Sequence, residues 1–443
     1  AGSGNFLIIA YKELRKLEID ILKAQRDLIG SKDNLLGLGF DSMVSLDNLY
    51  GIEYDDFASQ IARLSLWLAE HQMNVLFEQE FGASQPMLPL KDSGHIVYGN
   101  SLRIDWHEVC PNNGADEIYI IGNPPFGGTG SRNDEQVDDL RLVFKGFKSY
   151  KKLDYISCWF WKGAQYITDT NSKMALVSTN SIAQGMQVAM LFPAMFDLGI
   201  EIEFAYQSFP WKNNAKNNAG VHVVILGLSH KDNCGKKTIF SFLDKQWHSK
   251  SVRNISPYLV EGSSVAVEKE SKPLHGGSTM VFGSMPNEGG FLLLNNGEKD
   301  EILEKEPKLS KFIKKILGSQ EFLNGKDRWC LWLIDATSED IENSEVLMQV
   351  CNLVKEHRLK SSNKDTREMA ETPHLFWYIS QPTSGNYILI PSVSSERRQY
   401  VPIGFYSHEV IATNLVNIIP EGSIYEFGIL TSIIHNDWMR LVA

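Results

Sequence analysis

The apolar run Ile118–Ile121 ends in Gly122-Asn123-Pro124-Pro125-Phe126-Gly127-Gly128. Two successive prolines donate no backbone hydrogen bonds and hold φ near −65°, so neither a central strand nor a helix can continue through them. The chain must enter this turn from a short strand and leave it as a loop. Similar apolar segments recur at Asn48–Glu53, Ile96–Asn100, Lys173–Ser178, Glu201–Tyr206 and Gly220–Gly227. Helical spacing separates them: Phe57, Ile61, Leu64 and Leu68 mark a helix from Asp56 to about His71, and the aromatics Tyr155, Trp159, Phe160, Trp161 and Tyr166 mark another whose stripe reads as core packing. A further helix is expected near residues 189–198. Continuous apolar strands alternating with helices imply an α/β fold with a parallel sheet covered on both faces.

A chain of 443 residues, 43% of them hydrophobic, has material for two domains. From about Lys250 the periodicity weakens and Pro, Gly and Ser become frequent. Short strands at Phe291–Leu294, Trp329–Ile334 and Tyr387–Ile390, with helices at Asp300–Leu317 and Asn343–Lys360, predict a second, α+β domain. The boundary is set at residues 1–260 and 261–443. The five cysteines lack disulfide or zinc-ligand spacing, which points to a reducing, cytoplasmic setting with no metal site. No apolar run is long enough to cross a bilayer. The net charge of −11 requires any nucleic-acid partner to find local basic clusters. Candidates are Lys145–Lys152, Lys308–Lys315 and the pair Arg397-Arg398, each competing with an ordinary solvated face.

The strand ends carry a chemically coherent set. The Asn123 side-chain carbonyl and the Pro124 main-chain carbonyl can hold the two protons of an exocyclic amine, aiming its lone pair at an electrophile. Pro125 stiffens the turn and Phe126 offers a ring face, although such dipeptides also make plain turns. Near the start, Gly2 and Gly4 open a charged helix from Leu7 to Leu28, allowing close backbone approach to an anionic group. Glu53 ends a strand where an acid can accept from ribose hydroxyls, though its distance from Gly4 exceeds the roughly 20 residues usual in dinucleotide folds. Asn100 and Ser101 close the next strand, where a side-chain amide can read an adenine edge. Phe209 and Trp211 supply a second aromatic that could face Phe126 across an extruded base. Lys212 and Lys216 lie in a polar stretch positioned to touch phosphate.

In this order the residues resemble amino-methylating DNA methyltransferases of the gamma class, and within them the MmeI-like restriction–modification enzymes. The resemblance rests on Ala1–Phe6, Gly51–Glu53, Gly99-Asn-Ser-Leu-Arg-Ile-Asp-Trp106, Gly122–Phe126, Ser178–Ser181 and Phe209–Gly227. In the second domain it rests on Gly318–Glu321, Arg328–Trp332, Pro391–Arg398 and Phe427–Ser432. It implies a Rossmann-like class I sheet binding S-adenosylmethionine, followed by a partial target-recognition domain. It also implies transfer of methyl to adenine N6 in double-stranded DNA, with base flipping. Cofactor contacts are implied for Ala1, Gly2, Gly4, Asn5, Phe6, Glu53, Asn100, Ser101 and Asn123, and DNA contacts for Arg397 and Arg398. The strand expected before the glycine turn is absent, so the chain reads as a monomeric piece of a longer protein with a nuclease domain upstream. Two competing readings are a methyltransferase acting on protein glutamine or RNA guanine N2, and a non-catalytic DNA-binding specificity module.

Overall fold

The computed structural model describes residues 4–29, 42–82, 94–211, 221–270, 272–273, 276–395 and 398–442. They fall into two compact units that divide between Lys269 and Glu270.

The first unit opens with helix α1 (Asn5–Ile29). Gly4, which precedes it, has a φ of +84°, and a Cβ there would sit 3.1 Å from the Cβ of Ala62. Only glycine tolerates both conditions. Strand β1 (Tyr50–Glu53) is followed by α2 (Asp56–Phe81), which Asp55 caps and Gly82 ends in the left-handed conformation. Tyr11 and Ile19 of α1 pack against Leu66, Met73 and Phe77 of α2. That continued apolar register carries α2 ten residues beyond His71, where its end is expected from the sequence. Strand β2 (His95–Tyr98) pairs with β1 in parallel.

After the short α3 (Trp106–Val109) come β3 (Tyr119–Gly122), α4 (Asp134–Val143), α5 (Ser157–Ile167), β4 (Lys173–Thr179), α6 (Gly185–Asp197), β5 (Ile200–Pro210), β6 (His222–His230), β7 (Thr238–Leu243) and β8 (Gln246–Ser251). These strands form one sheet in the order β3-β4-β6-β5-β7-β8. The aromatic stripe of α5 is core: Phe160 is fully buried and Tyr155, Trp159 and Tyr166 nearly so.

Two expectations are corrected. The sheet is mixed, because β6 runs antiparallel to both β4 and β5, and β8 to β7. The connections explain this: β7 and β8 are joined by Asp244-Lys245, both at positive φ, a two-residue hairpin turn that admits only antiparallel pairing. The sheet is also divided. Among the described residues β1 and β2 pair only with each other, and β3 pairs only with β4.

Among the described residues the second unit holds two four-stranded sheets. Its elements are β9 (Val281–Phe282), β10 (Leu293–Leu294), α7 (Asn296–Lys305), β11 (Ile313–Leu317), α8 (Ser319–Asn324), β12 (Trp329–Leu331), α9 (Ser338–Glu342), α10 (Glu345–Leu359), α11 (Lys364–Glu368), β13 (Asn386–Pro391), β14 (Gly404–Ser407), β15 (Ile411–Ala412), β16 (Val416–Pro420), α12 (Ile424–Leu430) and α13 (Ile433–Val442). The helix expected over Asp300–Leu317 is broken at Pro307, which starts a 3-10 turn through Phe312, after which Ile313–Leu317 is a strand. Proline cannot supply the N–H that would continue α7.

Arg358 of α10 is fully buried and ties this unit together. Its guanidinium donates to the carbonyls of Pro286, Asn287, Met369, Thr372 and Leu375 at 2.7–3.2 Å. Replacing it strands several buried acceptors at once. Arg358→Met is expected to lower the stability of residues 270–441 by about 3 kcal/mol or more, read as a lower urea midpoint by circular dichroism; an unchanged midpoint contradicts this role.

Candidate active site at the strand ends

Asn123 leaves the end of β3 exposed, with Pro124 half-buried, Pro125 exposed and the Phe126 ring half-buried against the main core. The tip is therefore open to a ligand. Behind it, Tyr155 donates its N–H to Gly127 O at 2.8 Å. A Cβ at Gly127 would lie 3.1 Å from that of Tyr155, so glycine permits this close approach.

The ends of β1 and β2 converge on α4. The Tyr54 hydroxyl, just past β1, meets the Glu135 carboxylate at 3.1 Å. Past β2, Asn100 Nδ2 and Arg103 Nε donate to Asp139 at 2.9 and 2.7 Å. The Tyr155 hydroxyl donates to the same carboxylate at 2.7 Å. Asp139 is 1% exposed, so a buried charge joins the turn after β2 to the segment that backs the turn after β3. Burial, with Asp139 close by, pushes the Tyr155 hydroxyl well above its ordinary range and keeps it a donor. The end of β4 joins through Ser181, whose hydroxyl donates to Asp154 at 2.6 Å.

Asn100 is held on both sides of its amide, since its Oδ1 accepts from Leu102 N at 2.9 Å. Its side chain shapes the turn. Ser101 is similarly engaged: its Oγ accepts from Trp159 Nε1 at 2.9 Å, and its carbonyl accepts from Trp106 Nε1 and Lys162 Nζ. Burial lowers the Lys162 pKa to about 8. Glu53 Oε1 accepts from Asp55 N at 3.2 Å, and Glu53 O accepts from Gly99 N at 2.7 Å. Tyr54, Phe57 and Tyr98 are exposed around these ends. Such aromatic faces, beside main-chain groups and an acid, fit a nucleoside.

Phe209 pairs across β6 with Val223, and Val223 with Thr179 at the end of β4. It therefore lies at the same end of the sheet as Asn123. Its ring meets Trp247 edge-on at 5.1 Å and Trp211 at 6.5 Å, so both expected aromatics belong to one cluster. Asn5 and Phe6 form the first turn of α1, where Phe6 is exposed. Ala1, Gly2, Lys212, Lys216 and Arg397 lie outside the described residues. Arg398 is half-buried in the second unit; its N–H donates to Ser395 O at 3.0 Å, and its own carbonyl accepts from Arg440 at 2.6 Å. All five cysteines are free, and burial raises the thiol pKa of Cys158, Cys330 and Cys351, which makes them poor nucleophiles.

Sequence reasoning gave no site role to Asp139, Glu135, Tyr155, which it read as core, or Ser181, which it quoted only within the family resemblance. The available signal was an acid beside Leu140 and four residues before Val143, on the face of α4 that must be buried.

Residues 1–241 match the MmeI DNA-methyltransferase domain, and residues 261–443 match the MmeI target-recognition domain. The chain belongs to the MmeI family. It is 45% identical over 444 residues to DNA methyltransferase A of Bacillus subtilis, covering 100% of this chain and 49% of that protein. The chain thus spans about half the length of that curated relative. The Type IIL restriction-modification enzyme MmeI, solved in complex with DNA, superposes with a TM-score of 0.86 at 39% identity, over 100% of this chain and 58% of that one. The Rossmann-like sheet followed by a recognition domain is accordingly the MmeI architecture.

Asp139 sets the alignment of the turns. Asp139→Ala is expected to destabilise the first unit by about 3 kcal/mol, and Tyr155→Phe, which removes one donor, by about 1 kcal/mol. Chemical denaturation followed by tryptophan fluorescence measures both, and two effects near zero contradict the clasp.

Proposed function

We propose that this chain is the methyltransferase and target-recognition part of a restriction–modification enzyme, moving a methyl group from S-adenosylmethionine to adenine N6 in duplex DNA. The observation that carries the reading is Asn123, exposed at the end of β3 and followed directly by Pro124, Pro125 and Phe126, in a chain of the MmeI family. S-adenosylmethionine, when bound, supplies a sulfonium-borne electrophilic methyl. The Gly4 turn with Asn5 and Phe6, the acid of Glu53 and the turn at Asn100 and Ser101 seat it, and Ala1 and Gly2, which precede Gly4 in the sequence, are further candidates. Asn123 Oδ1 and the Pro124 carbonyl accept the two amine protons, so the nitrogen lone pair faces the methyl. Phe126 stacks on one side of the extruded base and Phe209 on the other, with Trp211 supporting Phe209. As the nitrogen takes the methyl it becomes acidic and releases a proton to solvent, and positioning supplies much of the rate.

Adenine is preferred over cytosine N4 because Asn leads the motif. A cytoplasmic, monomeric protein with a nuclease domain upstream completes this reading, and Arg397, Arg398, Lys212 and Lys216 are its DNA-contact candidates. The alternative of a protein or RNA substrate is disfavoured by the match of residues 261–443 to a target-recognition domain.

Labelled methyl from S-adenosylmethionine should enter duplex DNA in a nuclease-sensitive form and be recovered as N6-methyladenine. Label confined to protein or RNA overturns the substrate. Asn123→Ala should reduce the rate at least about a hundredfold, the scale of losing a positioning contact, and a variant of near wild-type rate removes the mechanism. Phe209→Ala removes a stacking contact worth about 1–3 kcal/mol, so weaker binding of the extruded base is expected, read by 2-aminopurine fluorescence at the target position; unchanged fluorescence assigns the stacking elsewhere.

A further inference from the structure

Residues 144–153 read Phe-Lys-Gly-Phe-Lys-Ser-Tyr-Lys-Lys-Leu, with an apolar residue at every third position and a lysine after each of the first three. The structure turns this repeat into two faces. Phe144 and Leu153 are fully buried, and Tyr150 packs on the same core. Phe147 meets Phe144 edge-on at 5.3 Å and Trp161 at 4.9 Å. Left-handed backbone at Gly146 and Ser149 lets the segment turn tightly enough to keep this spacing. Lys145, Lys148, Lys151 and Lys152 all lie on the outer, exposed face.

These lysines have no carboxylate partner among the described residues. Three of the four acids of the neighbouring α4 are engaged elsewhere: Glu135 by Tyr54 and Arg103, Asp138 by Arg141, and Asp139 within the buried clasp, while Asp134 stands in its first turn. The other lysine-rich segment behaves differently. Lys308 is paired with Glu306, Lys311 with Asp340, Lys314 with Glu409 and Lys315 with Asp327. In a chain of net charge −11, the 145–152 strip is thus a run of four exposed lysines without ion-pair partners among the described residues, on a segment anchored to the core by Phe144, Phe147, Tyr150 and Leu153.

Its position is equally specific. Arg132, on the loop that leaves Asn-Pro-Pro-Phe, donates to Leu153 O at 2.9 Å and Lys151 O at 2.7 Å. Gln187 of α6 donates to Lys152 O at 2.9 Å and accepts from Asp154 N. The Lys151–Leu153 end of the strip is therefore tied to the loop that leaves the Asn123 turn, and Tyr155, two residues on, to Gly127 of that turn. We propose that Lys145, Lys148, Lys151 and Lys152 form a phosphate-contact strip that grips the DNA backbone beside the nucleotide turned into the site. This rests on the reading of the chain as a DNA methyltransferase. A fixed row of like charges repels itself in the free protein, and a phosphate backbone both relieves that repulsion and gains from counterion release.

The test is duplex binding by the full chain as a function of salt. The alanine variant K145A/K148A/K151A/K152A should bind more weakly, with a slope of log K against log salt shallower by about 3–4, given about 0.9 per phosphate neutralised. Replacing the same four lysines with arginine should restore the wild-type slope, and K308A/K311A/K314A/K315A should leave it unchanged. An alanine variant that melts like wild type and keeps its slope overturns the strip. Wild-type methyl transfer separates the two failures: if the wild type methylates DNA and the alanine variant keeps its slope, only the strip falls, whereas a wild type that neither methylates DNA nor binds it salt-sensitively overturns the underlying reading.

Discussion

A single buried carboxylate organises the first unit. Removing a charge from water is costly unless its oxygens are fully engaged. Asp139 meets that condition with donors from Asn100, Arg103 and Tyr155. Because β1 and β2 share no ladder with the six-stranded sheet among the described residues, backbone pairing does not align their ends with that of β3. Side-chain contacts onto α4 supply the alignment.

That arrangement suits chemistry that depends on position. The proposed transfer to an amine asks little of acids and bases and much of geometry, and it calls for an exposed tip with everything behind it fixed. Asn123 is exposed. Behind it, Gly127 lies against Tyr155, Tyr155 is tied to Asp139, and Asp154 is tied to Ser181 and Gln187. The second unit has its own anchor in Arg358 and its carbonyl cage.

The turn and the strands around it were legible because proline pairs and continuous apolar runs are local signals. The aromatic helix was equally plain, since its stripe follows the helical period. Other features depend on distant partners. The antiparallel course of β6 follows from which neighbours it finds, and its apolar run resembles that of a parallel strand. Ile313–Leu317 continues a helical-looking pattern, yet Pro307 releases it to pair with Trp329–Leu331. Asn100 stands out in sequence, but only the structure shows its amide committed to Asp139 and Leu102. Asp139 itself is hidden in the acidic run of α4, where one buried acid looks like its exposed neighbours. The lysine clusters at 145–152 and 308–315 look alike in sequence, and ion pairing alone separates them.

The most direct test is a structure of the chain with duplex DNA and a non-reactive analogue of S-adenosylmethionine. An adenine should stand out of the helix, with N6 within about 2.6–3.2 Å of both Asn123 Oδ1 and the Pro124 carbonyl, the reach of a hydrogen bond. A target base left stacked in the duplex, or an exocyclic nitrogen held by other groups, contradicts it.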